Sequence, residues 1–263
     1  MNLYVDSAGN GPTVVMLHGV AGSSRTYSWL TLPGRQVVRF DFRGHGASDR
    51  APGSYRLQDY IDDAIDVVAR FGPSLLAGHS LGGVVAWGVA QQRPDLVLSL
   101  FLEDPPLFMG EPAEHAANPA IPAFVAMRES AQRWQDDGLS AEHITAELSA
   151  QLLPDGRRMA QFQTPEALAA RGYALSHLDL EVLDRVIDGS LLASADTVSP
   201  VAAPAFILAA DDALGAAFPS GHEARLRETH PHIEVLRLAG ATHTIHDELA
   251  HRGEYFQQLR SRA

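Results

Sequence analysis

The stretch Leu75-Leu76-Ala77-Gly78-His79-Ser80-Leu81-Gly82-Gly83 places one serine between two glycines, directly after an apolar run and directly before a helical pattern. A G-x-S-x-G pentad in that setting is the sequence form of a tight strand-to-helix turn. Such a turn holds the serine in a strained conformation with its hydroxyl pointing off the sheet edge, above the positive end of the following helix. The chemistry it suits is nucleophilic attack on a carbonyl, and Ser80 is the candidate nucleophile. Glycines at 78 and 82 are expected because a side chain at either would collide with neighbouring backbone.

Acyl transfer also requires two backbone N–H groups aimed at the developing oxyanion. Leu81, the residue after the nucleophile, supplies one candidate. The loop His18-Gly19-Val20, which follows an earlier apolar run, supplies the other through Val20. Gly19 lets that loop turn towards the substrate, and His18 reads as a structural residue of the loop. Gly19 to Ser24 lacks both the G-x-G-x-x-G spacing of a dinucleotide fingerprint and the lysine of a phosphate-binding loop. The general base is expected at His243, in Ala239-Gly240-Ala241-Thr242-His243, after the last apolar run and before a terminal helix. His246 is the near competitor, read as pointing along the surface or supporting that loop. His230 and His232 form a pair with no third ligand nearby, so a solvated loop and no metal site is expected. The acid behind the imidazole is ambiguous on position alone. Asp104 and Glu103 end one apolar run; Asp211 and Asp212 end the next.

The elements that must hold these residues follow from hydrophobic patterning. Apolar runs at Thr13–Leu17, Gln36–Phe42, Leu75–Ala77, Leu96–Leu102, Ala205–Ala210 and Ile233–Leu238 each end in turn residues. They read as strands buried on both faces. Helices are expected around Leu57–Phe71, Leu81–Gln92, Ser220–His230 and Ile245–Arg260. Strand and helix in alternation predict an α/β fold with a mostly parallel, doubly wound sheet. Between about Leu107 and Pro200 the strand pattern stops. Pro112, Pro119 and Pro122 lead into helical stretches near Ala123–Gln135, Ala141–Leu153 and Pro165–Leu175, which read as an inserted helical unit. Residues 1–106 and 201–263 are then the core and 107–200 the insertion.

Together, His18-Gly19, the run Asp41-Phe42-Arg43-Gly44-His45-Gly46-Ala47-Ser48-Asp49, the Ser80 pentad and the His243 loop resemble the α/β-hydrolase superfamily. The resemblance covers residues 13–104 and 204–260. It implies a catalytic triad, an oxyanion hole and a helical cap, 107–200, that selects the substrate. The usual position for the family acid follows the cap, but Ala209-Ala210-Asp211-Asp212-Ala213-Leu214-Gly215 departs from that pattern. Some members carry the acid after the preceding strand, where Asp104 stands 24 residues beyond Ser80. Asp104 is therefore the expected acid, with Asp212 the alternative. A serine at position 80 argues against the dehalogenases and epoxide hydrolases of this fold, which need a carboxylate there.

The resemblance points to a serine esterase or lactonase that cleaves a small, largely hydrophobic substrate through an acyl-enzyme. Gly19 and His79 in the core and Phe108, Trp134 and Tyr173 in the inserted segment, which also carries Phe124 and Phe162, are the expected substrate contacts. Carbon–carbon bond hydrolysis, cofactor-free perhydrolysis on the same triad, and a ligand receptor built on the fold are the competing readings. The formal charge is −12 over 263 residues, which disfavours nucleic acid and anionic lipid as partners. The chain has no cysteine, so disulfides, thiolate metal sites and a cysteine nucleophile are excluded. The first ten residues lack a basic stretch followed by an apolar run, and no apolar segment reaches bilayer length. A soluble cytoplasmic protein without a cofactor is expected, its partners a small-molecule substrate and, at most, a second copy in a homodimer.

Overall fold

In the computed structural model, residues 1–153 and 155–263 are described. Seven strands form one sheet: β1 (Val5–Gly9), β2 (Thr13–Leu17), β3 (Gln36–Phe40), β4 (Ser74–His79), β5 (Val97–Glu103), β6 (Ala205–Ala209) and β7 (Glu234–Arg237). Their order is β1-β3-β2-β4-β5-β6-β7. All neighbours are parallel except β1, which runs antiparallel to β3. This is the expected parallel α/β architecture. β1 has no counterpart among the expected strands. It is a mostly exposed edge strand and so carries no apolar run.

Alternation along β2 shows why the central strands are apolar on both sides. Val15 and Leu17 join the cluster built with α1 (Leu57–Phe71) and α2 (Leu81–Gln92), while Val14 and Met16 join the one built with Tyr27, Leu30 and Tyr255. The stripe Leu57, Ile61, Ala64 and Val68 is the buried face of α1. Between β5 and β6 run α3 (Pro112–Ala116), α4 (Ile121–Asp136), α5 (Ala141–Ala150), α6 (Pro165–His177) and α7 (Glu181–Ile187). After β6 come α8 (Ser220–Thr229) and, after β7, α9 (Arg252–Arg262). None of these helices is long and apolar enough to cross a membrane, among the described residues.

The terminal helix begins later than its periodicity predicts. Ile245–Asp247 is a short 3₁₀ turn, and α9 starts only at Arg252. The intervening backbone is committed elsewhere: Thr164 N–H donates to Asp247 O at 2.9 Å and Leu249 N–H to Phe162 O at 3.0 Å. The 3₁₀ turn is also pinned to the end of β5. Glu103 Oε1 accepts the His246 amide at 3.0 Å, and Glu103 Oε2 accepts from His246 Nδ1 at 2.7 Å. Both side chains are fully buried. Burial opposes protonation of His246, but Asp247 and Glu103 beside it outweigh burial and raise its pKa to about 9.

The run Asp41–Asp49 folds into a loop braced from several sides. Asp41 accepts the amides of Ser24 and Ala47, at 2.5 and 2.8 Å. Arg43 makes two bonds to Asp63 on α1, at 2.6 and 2.7 Å. His18 Nε2 accepts the Phe42 amide at 3.0 Å while its Nδ1 donates to Gly19 O at 2.8 Å, so this histidine ties loop to loop. Burial lowers its pKa to about 4, partly offset by the Gly19 carbonyl.

Two outcomes follow for stability. A Cβ at position 82 would lie 2.1 Å from Leu17 O and 2.8 Å from His18 O. Gly82→Ala should cost about 2 kcal/mol or more, because backbone and not a flexible side chain must move; a urea melt of the variant should show a clearly lower midpoint. His246 carries a folded-state pKa above its ordinary 6.5, so its contribution is complete below about pH 6.5 and is lost as pH rises through about 9. The stability gap between wild type and His246→Asn should therefore narrow over that window when urea midpoints are compared from pH 6 to 10.

Candidate active site

Ser80 sits between β4 and α2 with φ 52° and ψ −118°. Left-handed backbone is unfavourable for a non-glycine residue and persists only where the surroundings enforce it. Here the enforcement is steric. A Cβ at Gly78 would lie 2.3 Å from Gly82 O, and the Gly82 backbone is pressed against the end of β2. The chain can leave the sheet and enter α2 only through this conformation. A Cβ at Gly19 would meet the His79 ring at 2.7 Å and Ser80 Cβ at 3.1 Å, so the His18–Val20 loop reaches the serine only because position 19 is glycine.

His243 follows β7 on the same carboxyl edge. Its Nδ1 donates to Asp104 Oδ2 at 2.7 Å. Asp104 is fully buried and has φ 41°. Its carboxylate also accepts the amides of Ala210 (3.2 Å), Ala217 (2.8 Å) and Phe218 (3.1 Å). All four contacts are accepted, so the side chain works as an acceptor. With Nδ1 donating, His243 Nε2 is left with the lone pair a base requires.

The alternative acids are engaged elsewhere. Asp212 pairs with Arg237 at 2.7 Å and accepts the Ser220 amide at the start of α8. Asp211 accepts the amides of Gly240 and Ala213. Glu103 is one residue from Asp104 but points to the opposite side of β5, onto His246. The pair His230 and His232 rests on the carbonyls of Ser199 and Val201.

Ser80, His243, Val20 and Leu81 line one cavity of about 170 Å³. Among the described residues, neither the Val20 nor the Leu81 amide donates to another protein group. The floor is continued by Gly215–Ala217, and the roof is apolar, with Pro106, Met109, Ile121, Phe124, Val186 and Leu192. Asn118, His115 and Arg185 add polar atoms to it.

Most of the expected substrate contacts lie elsewhere. Phe108 is buried against His222 and Arg225. Trp134 is buried between helices, its Nε1 donating to Glu147 at 2.7 Å. Tyr173 stacks under the Arg25 guanidinium, 3.5 Å from the ring centre. Each ring has a neighbour that satisfies it, so none faces the cavity. Gly19 and His79 border a separate small chamber of about 40 Å³ beneath the Val20 loop. His79 Nε2 donates to the His243 carbonyl at 3.0 Å, and its ring lies against those of His243 and His246. Burial, then the neighbouring His243 and His246, push its pKa well below the ordinary value, so it braces the loop as a neutral ring. Phe124 is the aromatic residue of the expected set that does reach the cavity. Met109, Val186 and Leu192 carried no signal that separates a cavity wall from ordinary core.

His79, Glu103 and His246 are the one group, among the described residues, with donor atoms close enough to share a cation. Glu103 is already engaged by His246 through both oxygens, and His79 by the His243 carbonyl. The cluster reads as a hydrogen-bonded support beneath the loop that carries His243.

Residues 14–257 match the model of the "Alpha/beta hydrolase family". The chain is 26% identical over 245 residues to the sn-1-specific diacylglycerol lipase of Mus musculus, covering 90% of this chain and 76% of that protein. It is 29% identical over 187 residues to the 2-(acetamidomethylene)succinate hydrolase of Mesorhizobium japonicum, covering 65% of this chain and 66% of that one. The enol-lactonase of Burkholderia xenovorans LB400 superposes with a TM-score of 0.72 at 17% identity, covering 98% and 95% of the two chains; at that identity the likeness concerns the fold. On the family match over nearly its whole length, the chain belongs to the alpha/beta hydrolase family.

Proposed function

We propose that this hydrolase cleaves a carboxylic ester or lactone of a small, largely hydrophobic substrate through an acyl-enzyme on Ser80. The observation that carries the reading is the alignment of Ser80 and His243 on one cavity, with Asp104 bonded to the far nitrogen of the imidazole. In this reading His243 Nε2 takes the hydroxyl proton as Ser80 Oγ attacks the carbonyl carbon. The Val20 and Leu81 amides hold the oxyanion. His243 then gives its proton to the departing alkoxide, and the acyl group remains on Ser80. A water molecule, deprotonated by the same nitrogen, attacks the acyl carbonyl and returns Ser80 and the free acid. Asp104 orients the ring and stabilises its charged form throughout.

Residues 107–200 act as the cap in this scheme, because the cavity roof is drawn from them. A dry cavity of about 150 Å³ is large enough for a benzene ring. The cavity here is of similar size, about 170 Å³, which favours an acyl portion of roughly six to eight carbons.

The reading is tested first with a fluorophosphonate probe and p-nitrophenyl hexanoate. Labelling should occur on Ser80, and Ser80→Ala should lose at least about 10⁴-fold in kcat. Absence of labelling, or ester turnover that survives Ser80→Ala, would overturn it. A diketone assayed in parallel should not be cleaved; preferential cleavage would instead indicate carbon–carbon bond hydrolysis. The acid is tested by comparing two variants whose folds are checked by circular dichroism. Asp104→Asn should lower kcat by about 10⁴-fold, while Asp212→Asn should stay within about threefold of wild type. The opposite ranking would move the acid to Asp212.

A further inference from the structure

Arg171 stands where its helix should carry an apolar residue. Leu168, Arg171 and Leu175 share one face of α6, at spacings of three and four. Leu168 and Leu175 are buried, 3% and 1% exposed, against the neighbouring helices. Arg171 lies in the middle of this stripe, half-buried. Among the described residues it makes no hydrogen bond and no ion pair, whereas Arg128, Arg157 and Arg185 in the same segment pair with Asp184, Asp155 and Glu181. Burial pulls its pKa below the ordinary guanidinium value, and the facing Asp247 only partly offsets this. A guanidinium nonetheless keeps its charge. A partly desolvated cation without a partner is costly, and proteins that retain one break a local rule for a reason.

Arg171 borders a cleft of about 280 Å³ between α4, α5 and α6 and, on its other side, the 40 Å³ chamber beneath the Val20 loop; the cleft is separate from the cavity that holds Ser80. Apolar side chains dominate the cleft wall. We propose that this cleft binds an amphipathic monocarboxylate, its tail among Met127, Trp134, Leu148, Leu168 and Leu175 and its carboxylate on Arg171. The guanidinium fork matches a carboxylate in two-pronged geometry. A single charge suits the site better than two, because Asp247 lies beyond Arg171 and Glu147, held by Trp134, is close to the cleft wall. By the scale of a benzene-filled cavity, the volume admits a chain of roughly ten carbons.

Occupancy would bear on the catalytic loop. Gln163 lines the same cleft, and its Nε2 donates to Thr244 Oγ1 at 3.3 Å, one residue from His243. The site is thus a binding site for a medium-chain acid, apart from the acyl cavity and in contact with the loop that bears the base.

The test is a titration of the full chain with decanoate and with decanol, followed by tryptophan fluorescence. Trp134 lines the cleft, whereas Trp29 and Trp87 do not. Decanoate should bind saturably and more tightly than decanol, and the signal should vanish in Trp134→Phe. Arg171→Leu should weaken decanoate at least tenfold without changing decanol, with Arg171→Lys between them. Absence of saturable decanoate binding, equal affinity for decanol, or unchanged decanoate affinity in Arg171→Leu and Arg171→Lys would each overturn the proposal. The readout is binding and needs no turnover, so it stands or falls separately from the role of Ser80.

Discussion

The close approach of three backbone segments, at Leu17, Gly78 and Gly82, governs the geometry of this molecule. A carbonyl at the end of β2 and another in the first turn of α2 occupy the space where side chains at 82 and 78 would project. With that space filled, the chain between β4 and α2 has one path, and Ser80 takes up a left-handed backbone conformation on it. The same crowding draws the His18–Val20 loop onto the serine, so the Val20 and Leu81 amides, which donate to no protein group among the described residues, arrive beside it. Position, strain and hydrogen-bond donors thus have one cause, the packing of main chain against main chain.

A second organising feature is the adjacency of Glu103 and Asp104. Strand alternation sends them to opposite sides of β5, and each meets a histidine of the same short loop. One pair is sealed and serves to hold the 3₁₀ turn. The other borders the cavity, with the imidazole of His243 partly exposed at 32% and the carboxylate fully covered. Burying two carboxylates side by side is tolerable because six donors reach them, four on Asp104 and two on Glu103. His243 is therefore held from both ends: through its ring by Asp104 and through its carbonyl by His79.

Where function is carried by backbone sterics, the sequence is legible. Glycines at 19 and 78, at strand ends, and at 82, in the first turn of α2, identify the turn and the loop because few other chain paths require them. The five inner strands are legible because burial on both faces demands continuous apolar runs; β7, at the other edge of the sheet, is legible because its run from Ile233 to Leu238 is apolar enough although it is only partly covered. β1 is not, since an exposed edge strand imposes no such demand. The late start of α9 is also hidden, because the periodicity of 245–260 satisfies a helix while the long-range bonds at Asp247 and Leu249 cannot be seen locally. The cavity wall is the least legible part. Phe108, Trp134 and Tyr173 have the same apolar character as Phe124, and only packing decides which ring faces a cavity and which is absorbed by an arginine or a glutamate.

The donors that clamp Asp104 from the far side, at Ala210, Ala217 and Phe218, are all main-chain amides. The segment after β6 therefore contributes a path and no obligatory side chain. The side chains of Asp211 and Asp212 in that segment serve its own turns, with Ala213, Gly240, Ser220 and Arg237 as their partners. Ser80 and Asp104 are both encoded before the helical segment begins, and only His243 lies beyond it. That segment is in turn bonded to the loop that carries His243, through Gln163, Thr164 and Phe162, so its course and the placement of the histidine are set together.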